Sequence, residues 1–178
     1  MSLDNVIKQR RSIRRYKQDK ISKEMLKEIV QAAIEAESWK NSQTARYHII
    51  TSDLILSEFK ENCLPGFNQE NCKDAPVLIV STFIKNRSGF ERDGTPSNEL
   101  ANGWGCYDLG LHNQNLILKA TELGLASLVM GIRDEAKIRV LLNIPKQEVI
   151  VSVIALGIGD SAPERPERKM VEDITTFY

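Results

Sequence analysis

The sequence predicts an α+β fold with helices surrounding a mostly antiparallel central sheet. Three observations carry this. Helical and strand patterns are mixed without the regular βα alternation of a doubly wound sheet. The chain has 178 residues, 42% of them hydrophobic, enough for one sizeable core, so residues 1–178 are expected to form one domain. No internal repeat or low-complexity tract interrupts the pattern.

Ser22 is placed to cap a helix whose Leu26, Ile29, Val30 and Ala33 form one buried stripe, ending near Ser38. Residues 47–51 and 77–82 carry the aromatic and β-branched content of core strands, the second following Pro76. Residues 86–105 hold Gly89, Gly94, Pro96 and Gly103 among polar neighbours and read as a long, site-covering loop. Asp108 is expected to open a long helix, with Leu109, Leu116, Ala120 and Leu123 on one face and Gly124 stopping it. A strand at 126–130 follows directly. Asp134 then caps a short helix bearing Ile138, Leu141 and Leu142, which Pro145 ends, and 149–156 reads as a buried strand. Residues 161–178, with Pro163, Pro166 and several charges, lack core periodicity and are expected to be a tail or an arm laid over a partner subunit.

Composition narrows the function classes. Lys plus Arg and Asp plus Glu both number 24, so no global field recruits nucleic acid or an anionic membrane. The apolar runs at 77–80 and 149–156 are far shorter than the roughly 20 residues of a membrane span. The first residues lack an apolar secretion core. Cys63, Cys72 and Cys106 are odd in number and without C-x-x-C spacing, and His48 and His112 lie far apart. A reducing cytoplasm is the expected setting, and no metal is expected.

Four segments could carry chemistry. Residues 8–17 hold six basic side chains, with Arg10, Arg11, Ser12 and Arg14 gathered where planar guanidinium forks and a hydroxyl suit phosphate oxygens. The same charges could equally end a short helix or keep a face wet. Ser38-Trp39-Lys40-Asn41-Ser42-Gln43 could line a flat heteroaromatic ring, or simply turn the chain from helix to strand. Arg165 to Lys169 could close on the same phosphate or stay solvated. At 128–131, Gly131 ends a strand where backbone amides could face a ligand.

Together these pieces resemble the FMN-dependent nitroreductase family nearly end to end. The resemblance rests on Arg10-Arg11-Ser12-Ile13-Arg14, Ser38 to Gln43, Lys73-Asp74-Ala75-Pro76, Tyr107-Asp108-Leu109-Gly110, Glu122-Leu123-Gly124-Leu125 and Arg168-Lys169. It implies an α+β homodimer with FMN lined by both subunits, NADH or NADPH as donor, and a C-terminal arm over the partner. It further implies that Arg10, Ser12, Arg168 and Lys169 hold the phosphate, that Arg11 assists, and that Arg14 lies toward the ring. Ser38 and Trp39 would approach from the other subunit, Asn68 would contact the ring edge, and the Met130 and Gly131 backbone would face N5. Glu37 and Thr44 stand where many relatives have Pro, and the 86–105 loop with Trp104 is where acceptor choice would reside. A nitroaromatic or quinone is the acceptor this implies, in alternating half-reactions. Relatives of the fold also dehalogenate, reduce enals or break flavin down. The bare residues leave a further alternative, a phosphate or nucleic-acid binding module built on 8–17.

Overall fold

A computed structural model describes residues 1–178. Its centre is a four-stranded antiparallel sheet of β1 (Ala45–Ile50), β2 (Val77–Ile84), β3 (Ala126–Met130) and β4 (Glu148–Gly157), in the order β1-β2-β4-β3. The expected α+β architecture is therefore the observed one. Six helices accompany the sheet: α1 (Leu3–Gln9), α2 (Lys23–Ile34), α3 (Asp53–Cys63), α4 (Gly66–Asn71), α5 (Gly103–Glu122) and α6 (Glu135–Leu141).

Alternation along the strands sorts the core into two layers. On β2, Val77 and Ile79 join Leu26, Ile29 and Ala33 of α2 and Leu116, Ile117 and Ala120 of α5. Leu78 and Val80 point the other way, toward Leu56 and Phe59 of α3 and Ile138 of α6. On β4, Ile150 and Val153 share one layer although three residues apart, because the register shifts where Ser81 pairs with Ser152 and Thr82 with Ile150. Val151 is the extra residue of that bulge.

The caps expected at Ser22 and Asp134 are present: their side chains accept from the Met25 and Lys137 N–H groups, at 3.2 Å and 3.1 Å. Three expectations need correction. The α2 helix stops at Ile34, not near Ser38; Ser38 is already extended, at φ −146°. The long helix begins at Gly103, five residues before Asp108, so Asp108 is a buried residue inside α5 and no cap. The loop correspondingly ends by Asn102. Finally, α3 and α4 occupy sequence where no element was expected.

Residues 161–178 lie exposed, with one short 3₁₀ turn at Val171–Asp173. No helix is long and apolar enough to cross a membrane. Cys63 and Cys72 are buried and Cys106 exposed, all three as free thiols.

Candidate cofactor site

The basic segment following α1 is tied down by its apolar members, which leaves its charges pointing outward. Ile13 donates its N–H to the Ser127 carbonyl at 3.0 Å, and Ser12 pairs in parallel with Ser127, covering the free edge of β3. Ile13 and Tyr16 are buried, and the Tyr16 hydroxyl donates to the Ile13 carbonyl at 2.7 Å. Arg10 and Arg11 consequently line a cleft of about 520 Å³ with Ile13, Gly124, Ile158 and Pro163.

The tail enters this cleft at Ser161, Ala162 and Pro163, and farther along it the charge of Arg168 reaches Arg10. Burial, then the neighbouring charges of Arg168 and Arg11, hold the Arg10 guanidinium below its ordinary pKa. Arg10, Arg11, Arg14 and Arg168 make no ion pair. Arg11 donates to the Lys8 and Arg10 carbonyls at 2.5 Å and 2.9 Å, and its Nε is buried without a partner. Arg14 donates to the Ser12 carbonyl at 3.3 Å, and Arg168 to the Pro166 carbonyl at 3.0 Å. The carbonyl end of α5 borders the cleft and offsets part of this charge. The remainder, guanidinium forks gathered with no carboxylate, is the donor set that suits a phosphate. The Ser12 side chain is exposed beside them. Lys169 is exposed on the tail, and nothing in the geometry joins it to the group.

The turn at 38–43 lies at the opposite end of α5. Trp39 donates its backbone N–H to Asp108 Oδ2 at 3.0 Å, and Gln43 donates its N–H to Ser38 Oγ at 3.0 Å. Asp108 and Thr121, which lines the arginine cleft, are thirteen positions apart along α5. At 1.5 Å per residue that is roughly 20 Å. One chain therefore does not bring Ser38 and Trp39 to the arginines. Trp39 packs on Trp104 with ring centroids 4.6 Å apart and planes tilted by 50°, and Trp104 Nε1 donates to Asn98 Oδ1 at 2.9 Å. Trp104 thus packs within its own chain.

Asn68, Met130 and Gly131 form a third group. Asn68 is buried and donates Nδ2 to the Ile132 carbonyl at 2.8 Å, clipping α4 to the turn after β3. Met130 belongs to the α3/α6 layer of the core, and Gly131 is exposed, its carbonyl accepting from Arg133 at 3.0 Å. A Cβ at Gly131 would meet open space, so the chain's own packing does not require glycine there.

Sequence reasoning missed Asp108, Ser88 and His112 as parts of one buried polar junction. Burial lowers the His112 pKa and the Asp108 carboxylate raises it in part; neither ring nitrogen has a partner. A signal was present. Positions 108 and 112 continue, at intervals of four, the stripe that carries Leu116 and Ala120, so polar residues there must be buried.

Comparison with known proteins places this geometry in a family. The model of the Nitroreductase family matches residues 7–158. A Methanothermobacter thermautotrophicus protein with the provisional name NADH dehydrogenase/NAD(P)H nitroreductase is 29% identical over 167 residues, covering 92% of this chain and 80% of its own. The crystal structure of a nitroreductase family protein from Streptococcus pneumoniae superposes with a TM-score of 0.87 at 19% identity, covering 99% of this chain and 100% of that one. A crystal structure described as an oxidoreductase containing FMN gives a TM-score of 0.76 at 25% identity, covering 90% of this chain and 79% of that one.

Proposed function

The chain belongs to the nitroreductase family, and from that premise we propose that it is an NAD(P)H-dependent FMN oxidoreductase acting on a nitroaromatic, quinone or similar organic acceptor. The observation that carries the reading is the cleft that Arg10 and Arg11 line without any carboxylate, with the charge of Arg168 reaching Arg10 from the far end of the chain. When bound, FMN supplies the redox chemistry, taking hydride from NADH or NADPH and passing electrons to the acceptor in alternating half-reactions. The protein supplies placement and charge.

In this reading Arg10, Ser12 and Arg168 hold the phosphate, with Arg11 fixed beside them and Lys169 adding charge from the tail. Arg14, exposed two residues beyond Ser12, reaches toward the ring, where a cation favours negative charge near N1. Asn68 and the Met130–Gly131 backbone border the ring from the β3 end. Ser38 and Trp39 come from a second copy, since the length of α5 separates them from the arginines of their own chain. The same homodimer gives the tail a purpose. Met170, Val171, Ile174 and Phe177 are exposed on an extended segment and would be covered by laying it on a partner. Free thiols at all three cysteines suit a reducing cytoplasm.

The test is a visible spectrum of the purified protein with added FMN, followed by NADH or NADPH and a nitroaromatic. Retained yellow colour, bleaching by the donor and recovery with the acceptor are expected. A protein that stays colourless with excess FMN, or that binds RNA in a salt-sensitive way without flavin, would refute the proposal.

A further inference from the structure

Asp108 is 3% exposed and has no cation paired to it. A lone buried carboxylate is costly, and it persists only where hydrogen bonds compensate. Here they come from outside its own helix. Oδ2 accepts from the Trp39 backbone N–H at 3.0 Å and from the buried Ser88 hydroxyl. A hydroxyl has one proton, so with that of Ser88 directed to Asp108, the 2.8 Å contact between Ser42 and Ser88 has Ser42 as donor. One carboxylate oxygen therefore gathers α5, the loop before it, and both ends of the turn at 39–42.

That turn does not hold itself. Lys40, Asn41 and Gln43 have φ of 47°, 53° and 49°, a left-handed region that is unfavourable for residues with a side chain. The loop reaches the same point by a tight approach at Gly89, whose φ is +80° and where a Cβ would lie 2.4 Å from the Ala101 carbonyl oxygen and 2.7 Å from the Trp104 ring. Trp39 and Trp104 then pack against each other. Strain in both segments is held from one buried group.

We propose that Asp108 is a positioning residue: directly and through Ser88 and Ser42, it fixes the Trp39 turn in the shape presented to the flavin of a second copy and couples that turn to the acceptor loop. The inference rests on the flavoenzyme reading above for its consequence, but not for its geometry. It makes Asp108 act through Trp39 without touching cofactor or substrate.

Trp39 and Trp104 are the two tryptophans of the chain, so tryptophan emission reports on this junction alone. The experiment compares Asp108→Ala, Asp108→Asn and Ser88→Ala, first without flavin and then with FMN, NADH and 1,4-benzoquinone. Without flavin, Asp108→Ala shifts the emission to the red, while Asp108→Asn, whose Oδ1 still accepts from Trp39, keeps the parent spectrum. With flavin, Asp108→Ala, which removes the hydrogen bonds from both Trp39 and Ser88, raises the KM for the quinone about tenfold. The kcat stays within about twofold, and Asp108→Asn restores the KM. If Asp108→Ala does not fold, Ser88→Ala must give a red shift of the same direction. An unshifted emission in both Asp108→Ala and Ser88→Ala overturns the proposal, and so does a shifted emission with parental KM. A parent protein that binds no FMN sinks the flavoenzyme reading separately, and the flavin-free spectra still decide whether Asp108 holds the turn.

Discussion

Replacing Gly105 by Ala sets two physical effects of opposite sign against each other. Gly105 lies in the first turns of α5, against Phe83 of β2, a ring 1% exposed. Alanine is the better helix former by about 1 kcal/mol, so propensity alone predicts stabilisation. Its Cβ, however, would stand 2.3 Å from both Cδ2 and Cε2 of Phe83 and 3.0 Å from Cζ. These are atoms of a rigid ring on a central strand, not the far end of a flexible chain. Overpacking a full core costs about 1–3 kcal/mol, and contacts this short belong at the upper end. The expected net loss is about 2 kcal/mol, equivalent to a fall in Tm of about 4–8 °C for a chain of this length. Urea unfolding with an unchanged m value measures it. Phe83→Leu should relieve the clash, so the double variant should be more stable than the two single losses predict, by about 1 kcal/mol or more. A Gly105→Ala protein as stable as its parent, or strict additivity in the cycle, would refute the packing argument.

Arg168→Ala removes the tail cation whose charge reaches Arg10 and, on the proposed reading, should raise the FMN dissociation constant about tenfold or more while flattening its salt dependence. Flavin-fluorescence titration at two salt concentrations reads both, and unchanged values remove Arg168 from the phosphate grip. Arg14→Ala is expected to weaken flavin binding or lower the potential of the bound flavin; a redox titration leaving both untouched dismisses its tuning role. For His112, burial pushes the pKa below its ordinary 6.5, with Asp108 opposing in part. The unfolded chain therefore takes up a proton near 6.5 before the folded one does, and stability present above that value is lost as the pH falls below it. The slope is at most about 1.4 kcal/mol per pH unit, and His112→Asn should flatten it between about pH 7.5 and about pH 5.5. Glu148 acts in a separate window. Burial pushes it up, but hydrogen bonds from Thr82 and His48 and the charges of His48 and Arg46 outweigh this and hold it below 4.5, so its contribution is lost only as the pH falls further. Leu116→Ala, at a fully buried position between α5 and the sheet, should cost about 2–5 kcal/mol by thermal or urea unfolding; a loss under about 1 kcal/mol would contradict that placement.

The elements legible in the sequence were those in which cap, stripe and stop agree. The α2 helix has its Ser22 cap and a stripe through Leu26, Ile29 and Ala33, and the C-terminal end of α5 has Gly124 at φ +78°. Where those signals conflict, the reading failed. The first turn of α5 contains Gly103 and Gly105, which look like loop residues, yet Gly105 is there because Phe83 leaves no room for a side chain. At Asp108 the preference of aspartate for a cap points to a helix start, while its spacing from Leu116 and Ala120 puts it on the buried face, and the spacing prevails. In α3, Leu54 and Ile55 are exposed beside the buried Leu56 and Phe59, so the apolar pattern had no clean period. At the site, the basic string around Arg10 was legible as charge. That the charge of Arg168 reaches Arg10 depends on the course of the tail after β4, which no local spacing records.

Several departures from ordinary packing stand at the two ends of α5. Between them, two apolar clusters fill the layers of α2 and α5 on one side of the sheet and of α3 and α6 on the other. At one end of α5 stand a carboxylate buried without a cation, a buried Trp39 Nε1 without an acceptor, and a turn with three left-handed residues. At the other stand guanidinium groups gathered without a carboxylate and a buried Arg11 Nε without a partner. Each of these costs stability, and a chain selected for stability alone would lose them. Their separation by roughly 20 Å of helix means that no single small ligand on one chain relieves both. A second copy that brings its turn to the arginine cleft would place both sets of departures at one site. In the homodimer proposed above, their cost to the monomer would return as placement of a cofactor.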